Sequence, residues 1–127
     1  MKPSEKQALE TNSSSESLVL QEYENGIVTL TLNRPKQYNA LSEAMLDSLQ
    51  EHLDTIAKNE TMRIVVLQGA GKAFCAGHDL KEMIKTPKEK YYQALFKKCS
   101  KMMMTLNQMP QPIIARIHGI ATAAGCQ

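Results

Sequence analysis

Apolar and polar positions change rhythm several times along the chain. From Leu18, LVLQEY and IVTLTLN are short β-prone runs joined at Glu24-Asn25-Gly26. Asn-Gly is a hairpin signal because both residues accept positive φ. In the second run Val28, Leu30 and Leu32 alternate with Thr29 and Thr31, which predicts one buried face and one polar face. Arg34-Pro35 ends the ladder, since proline brings no N–H to a continuing strand. Ser42 is a candidate N-cap. Met45, Leu46, Leu49, Leu53, Ile56 and Ala57 then recur at three- and four-residue steps and predict an amphipathic helix to about Lys58. RIVVLQ at 63–68 is the β-branched run expected of a parallel strand covered on both faces, and Gly69-Ala70-Gly71 breaks it.

A short helix is expected from about Asp79, and Pro87 opens a longer one. In the longer helix Tyr91, Tyr92, Leu95, Phe96, Cys99, Met102, Met103 and Leu106 form a single stripe, with Lys90, Lys97, Lys98 and Lys101 largely off it. Pro110 and Pro112 end this helix, and IIARIHG at 113–119 is the next expected strand. The order ββα, β, αα, β predicts an α/β layered fold. Residues 1–17 hold five Ser, few apolar side chains and no periodicity; they read as a disordered lead-in to an ordered region over 18–127. They have no apolar stretch of the signal-peptide kind. Glu5, Glu10 and Glu16 without any Arg make them a poor transit peptide.

Charge adds an asymmetry that the net of +2 conceals. Residues 1–60 carry five basic and ten acidic side chains, whereas 61–127 carry ten and three. Seven Lys fall within 81–101, a density that suits a phosphate-bearing small molecule, RNA or a solvated helix face. No run is long and apolar enough to span a bilayer. Cys75, Cys99 and Cys126, odd in number and widely spaced, argue for a reducing compartment over a disulfide framework.

Candidate chemistry concentrates at Gly69–Leu80, GAGKAFCAGHDL, where a strand ends in a glycine-rich loop running to a helix start. Such a loop exposes N–H groups that stabilise an anion, either a phosphate or the transient oxyanion of a thioester. Neither the Walker spacing nor the third glycine of a dinucleotide fingerprint is present. Gly119–Gln127 is a second loop of small residues after a strand. Cys75 and His78 lie three apart, but a metal site needs further ligands, and His52 and His118 fall on other elements. Asp79 reads first as a helix-start residue, Cys126 as a buried thiol, and Glu43, Asp47 and Glu51 as a solvated helix face.

NRPKQYNALS (33–42), GAGKAFCAGHDLKEM (69–83) and PIIARIHGIATAAGC (112–126) resemble, in order and spacing, the signature blocks of the enoyl-CoA hydratase/isomerase, or crotonase, superfamily. The resemblance covers about residues 18–127. It implies a crotonase-like spiral of ββα units, here truncated to its N-terminal part, and binding of acyl-CoA thioesters in homotrimers. The backbone N–H groups of His78 and Ala124 would be the two oxyanion donors. Lys36, Ala40, Leu41, Ala76, Gly77, Asp79, Leu80 and Lys81 would line the substrate, with Lys81–Lys101 near its phosphates. No separate cofactor or metal is implied, because coenzyme A is part of the substrate. Membrane and nucleic-acid partners are not implied. A role in fatty acid metabolism and a mitochondrial location follow from the resemblance, a cytoplasmic one being the alternative.

Gln127 stands where the hydratases of this family carry a Glu for acid/base water addition, and an amide neither takes nor gives a proton near neutral pH. The family's other carboxylate, the rest of its acyl pocket and its trimer-forming helices lie beyond the region matched. Hydratase activity of this chain alone is therefore not expected. The alternative is a non-catalytic form acting through protein or RNA interaction.

Overall fold

The computed structural model describes residues 17–127, so all but the last residue of the expected lead-in lies outside it. Ser17 is already tied in, its carbonyl accepting from Asn33 Nδ2 at 3.1 Å. Strands β1 (Val19–Glu24) and β2 (Ile27–Leu32) form the expected antiparallel hairpin. Asn25 and Gly26 at its tip have φ of 50° and 85°, the sign an NG hairpin turn demands. Strand β3 (Ile64–Gly69) pairs parallel with β2, and β5 (Ile113–Ala115) pairs parallel with β3, giving the order β1-β2-β3-β5. A second sheet joins β4 (Ala73–Cys75) to β6 (Ile120–Ala121), also parallel.

Helix α1 (Glu43–Ala57) starts where Ser42 Oγ accepts from the Met45 N–H at 3.1 Å, the predicted cap. Its apolar stripe packs on one sheet face, and Val28, Leu30, Met45, Leu53, Ile56 and Val65 are completely shielded from solvent. The far end of α1 is met by a distant side chain. Gln111 Nε2 donates to the carbonyls of Ile56 (2.7 Å) and Met62 (3.0 Å), a second donor for Ile56 O, which the Asn59 N–H already meets at 3.0 Å.

Helices α2 (Leu80–Lys85) and α3 (Glu89–Gln108) follow. Lys98 on α3 reaches Asp47 (3.0 Å) and Glu43 (3.8 Å) on α1, so part of the acidic face expected to be merely solvated bridges two helices. Only Leu95, Cys99 and Met102 of the α3 stripe are buried; Phe96 is 45% exposed.

Several expectations need correction. The strand expected over 113–119 stops at Ala115, because Ile117 and His118 leave the ladder to reach the second sheet. Beta-strand β4 lies inside what reads as loop. On β3, Val65 and Leu67 are buried while Ile64 and Val66 are only partly so, and the face opposite α1 is therefore less well shielded than the two-sided cover expected.

Candidate oxyanion site

Three segments meet beside the second sheet. The loop after β2 turns back through the 3₁₀ turn Pro35–Gln37, with Tyr38 and Asn39 both left-handed at φ 53° and 55°. Asn39 is fully buried. Its Oδ1 accepts from the Arg34 N–H at 2.8 Å, and its Nδ2 donates to the carbonyls of Ala70 (2.9 Å) and Ala73 (2.8 Å). One amide side chain thus fastens the 34–41 loop to the glycine-rich loop. The fastened loop then runs beside residues 76–79: Ala76 N–H donates to Tyr38 O at 3.0 Å, Leu41 N–H to Gly77 O at 2.7 Å, and Asp79 N–H to Leu41 O at 3.3 Å. The two stretches expected to share a ligand therefore lie side by side, with Lys36, Leu80 and Lys81 exposed and Ala40, Leu41 and Gly77 buried.

The third segment joins from the C-terminal side. Thr122 N–H donates to Cys75 O at 3.1 Å, and Thr122 Oγ1 to Ala76 O at 3.3 Å. Gly77, at φ 90°, packs so closely that an added Cβ would sit 2.9 Å from Ala123 Cβ and 3.3 Å from Ala124 N. Its successor His78 is therefore held next to Ala124. Ala123 takes φ of 51° to open the 3₁₀ turn Ala123–Gly125, a conformation costing an L-residue about 1–2 kcal/mol. Strain of this kind gathers at functional corners. Among the described residues, no protein acceptor is found for the N–H of either His78 or Ala124 in the loop and cap hydrogen bonds.

Ala124 and Gln127 border an apolar cavity of about 230 Å³, whose walls include Leu41, Phe74, Met102 and Leu106. Cys75 and Cys126 also line it. Burial pushes the Cys75 thiol up, the Gly77 N–H pulling partly back. Cys126 is exposed where it borders the cavity, contrary to the buried thiol expected.

Asp79 caps α2 by accepting from Glu82 N–H at 3.1 Å and pairs with Arg34 Nη1 at 3.2 Å. Burial alone would raise its pKa, but the Glu82 N–H and the Arg34 guanidinium outweigh it and hold the carboxyl below its ordinary value. Glu82 Oε1 accepts from both the Glu43 N–H (2.8 Å) and the Tyr91 hydroxyl (2.9 Å), joining all three helices. Burial and then Glu82 push the Tyr91 phenol up to about 12. The His78 ring lies edge-on to Phe96, centroids 5.1 Å apart; its buried Nδ1 has no partner among the described residues, and burial lowers its pKa.

Comparison with known proteins places the chain in a family. The enoyl-CoA hydratase/isomerase family profile matches residues 22–127. The chain belongs to that family. It is 38% identical over 122 residues to the mitochondrial enoyl-CoA hydratase domain-containing protein 3 of Danio rerio, covering 96% of this chain and 42% of that protein. Among solved structures, an enoyl-CoA hydratase of Mycobacterium smegmatis is 58% identical with a TM-score of 0.85, over 87% of this chain and 44% of that one. Human enoyl-CoA hydratase domain-containing protein 3 is 37% identical with a TM-score of 0.82, over 87% and 44%. The chain thus spans less than half the length of the family members it matches, and its fold is the crotonase fold over that part.

Asn39 and Arg34 escaped the reading of the sequence as functional positions, although both stand in the first signature block. The available signal was Tyr-Asn in a proline-led turn, where asparagine tolerates left-handed backbone. The carbonyl partners of Asn39, Ala70 and Ala73, are more than thirty residues away and carried no signal.

Proposed function

We propose that this chain contributes the oxyanion-binding part of an acyl-CoA-handling protein. The observation that carries the reading is the pair of amides at 78 and 124, on abutting glycine-containing loops, without an acceptor in the loop and cap hydrogen bonds among the described residues, Ala124 bordering an apolar cavity. Two N–H donors aimed at a thioester carbonyl oxygen favour the enolate over the ground state, because the donors are already oriented when charge develops. Removing one donor of such a pair typically costs about 10²–10³ in rate. Backbone donors make the side chain at 124 secondary to the shape of its loop.

In this reading the acyl group occupies the cavity between α3 and the second sheet. The nucleotide end lies along Lys36, Ala40, Leu41, Ala76, Gly77, Asp79, Leu80 and Lys81, with neighbouring α3 lysines near the phosphates. Lys98 is excluded from that task by its bridges to Asp47 and Glu43. Asp79 serves by starting α2 and fixing Arg34 rather than by meeting the anionic ligand. At the cavity edge Gln127 offers an amide, which orients water or a carbonyl but transfers no proton. The chemistry is therefore enolate stabilisation or thioester binding without hydration. A mitochondrial location and homotrimeric assembly belong to the same proposal.

The deciding experiment is calorimetric titration with a saturated acyl-CoA, on this chain and on one extended to the length of its relatives. Binding by the extended chain, displaced by free CoA, is the expected result. Indifference of the extended chain to the thioester would end the proposal. Affinity for RNA that falls steeply with salt, without thioester binding, would replace it with the interaction reading.

A further inference from the structure

A second recess lies on the sheet face away from α1. Thr31 on β2 is in register with Gln68 on β3, and the Arg116 N–H donates to Leu67 O at 2.8 Å, setting Arg116 beside Gln68. These three side chains, with Gly69, Ala70 and His118, surround about 310 Å³ and share no lining residue with the cavity at Ala124.

The hydrogen-bond inventory of this recess is one-sided. Gln68 Nε2 spends one N–H on Thr31 Oγ1 at 3.0 Å and keeps the other. Thr31 accepts there, so its hydroxyl hydrogen is free to donate, and among the described residues no acceptor for it is found. The Arg116 guanidinium has no carboxylate within ion-pairing distance among the described residues. His118 Nε2 lies 2.6 Å from the Gly71 carbonyl; a carbonyl only accepts, so the proton is on Nε2 and the ring is fixed as a wall. Among the described residues, no Asp or Glu lines the recess. Unspent donors from two strands and a guanidinium fork therefore line one volume whose side-chain acceptors, among the described residues, are the neutral Gln68 Oε1 and Thr31 Oγ1 and the unprotonated ring nitrogen of His118.

The geometry points to a small-anion site at Arg116, Gln68 and Thr31, one that takes the oxygens of a carboxylate or phosphate group. Arg116 engages two oxygens at once, as planar guanidinium does with such groups, and Gln68 and Thr31 donate to the side of the anion that faces the sheet.

The test is a titration of the isotopically labelled 127-residue chain with inorganic phosphate and, separately, acetate, each against chloride at matched ionic strength. Saturable shifts at the Gln68 side-chain amide and the Arg116 guanidinium are expected with at least one of the two. Arg116→Gln should weaken that binding at least tenfold, and Gln68→Ala by a smaller factor. Arg63→Gln, at the opposite end of β3, should leave it unchanged. Unsaturated shifts with both anions would overturn the site. So would equal weakening by Arg116→Gln and Arg63→Gln, which would mark diffuse attraction to a basic surface. Unchanged peak dispersion elsewhere in each variant separates lost binding from lost folding.

Discussion

The two sheets are held together by different physics. In the four-stranded sheet, α1 covers one face with Leu49, Leu53 and Ile56 against Val28, Leu30 and Val65, all sealed from water. At 25 cal/mol per Å² of apolar surface, each such side chain contributes about 1.5–3 kcal/mol. The two-stranded sheet has less of this: Ala73, Phe74 and Cys75 of β4 are buried, Phe74 and Cys75 within the same core, but neither residue of β6 is. It is assembled from main-chain approaches: Gly125 against Cys75 O, Gly77 against Ala124 N, and the buried amide of Asn39. Around it Ile117 and Ile120 are each 56% exposed, and Ala123 is strained. Stability resides in the first sheet. Positional accuracy, at some cost in stability, resides in the second.

The sharpest way to break the contrast is Leu53→Ala, which empties a fully buried position and should cost about 2–5 kcal/mol in denaturant unfolding. Asn39→Ala comes next. It strands the Arg34 N–H and two carbonyls at a buried site, for about 1–3 kcal/mol, and amide exchange should rise in the 70–79 loop before it rises in β2 and β3. Gly125→Ala places a Cβ 2.1 Å from Cys75 O. In a chain of the relatives' length it should reduce acyl-CoA affinity by at least tenfold, about 1.4 kcal/mol, while shifting core unfolding less than Leu53→Ala does. Equal damage to both properties would erase the distinction between the sheets.

The smallest effect is electrostatic. His52 Nδ1 meets Gln21 Oε1 at 2.6 Å, and burial lowers its pKa, with Glu51 pulling partly back. A group whose folded pKa is depressed binds its proton more readily when unfolded, so stability is full above about pH 6.5 and declines as pH falls toward the folded value. His52→Gln should flatten that decline in a pH series of melting temperatures. His78, lowered in the same direction, would keep part of it.

Local order was legible in the sequence wherever neighbours along the chain determine it. The Asn25-Gly26 hairpin, the Ser42 cap, the stripe of α1, the Asp79 start of α2 and the apolar run of β3 all follow from spacing and turn chemistry. What the sequence did not show depends on distant partners. Ala73–Cys75 becomes a strand only because Ile120–Ala121 returns beside it, and the two-stranded pairing carries no period of its own. Phe96 fits the α3 stripe by spacing yet faces His78, because α3 crosses the edge of the packed layer. The signature blocks marked the segments that the fold brings together at the candidate site. How Arg34 and Asn39 brace it became visible only once the loops were placed together.

The clasp at the end of α1 has a temporal consequence. Gln111 lies more than fifty positions after Ile56, whose carbonyl it serves. During synthesis from the N-terminus the last turn of α1 closes on its own neighbours, the Thr55 and Ile56 carbonyls accepting from the Lys58 and Asn59 N–H groups; only the added donor from Gln111 waits until residue 111 has cleared the ribosome. The Gln111 bonds to Ile56 and Met62 thus tie the segment entering β5 to a helix end that is already closed, joining a late-made strand to an early-made helix.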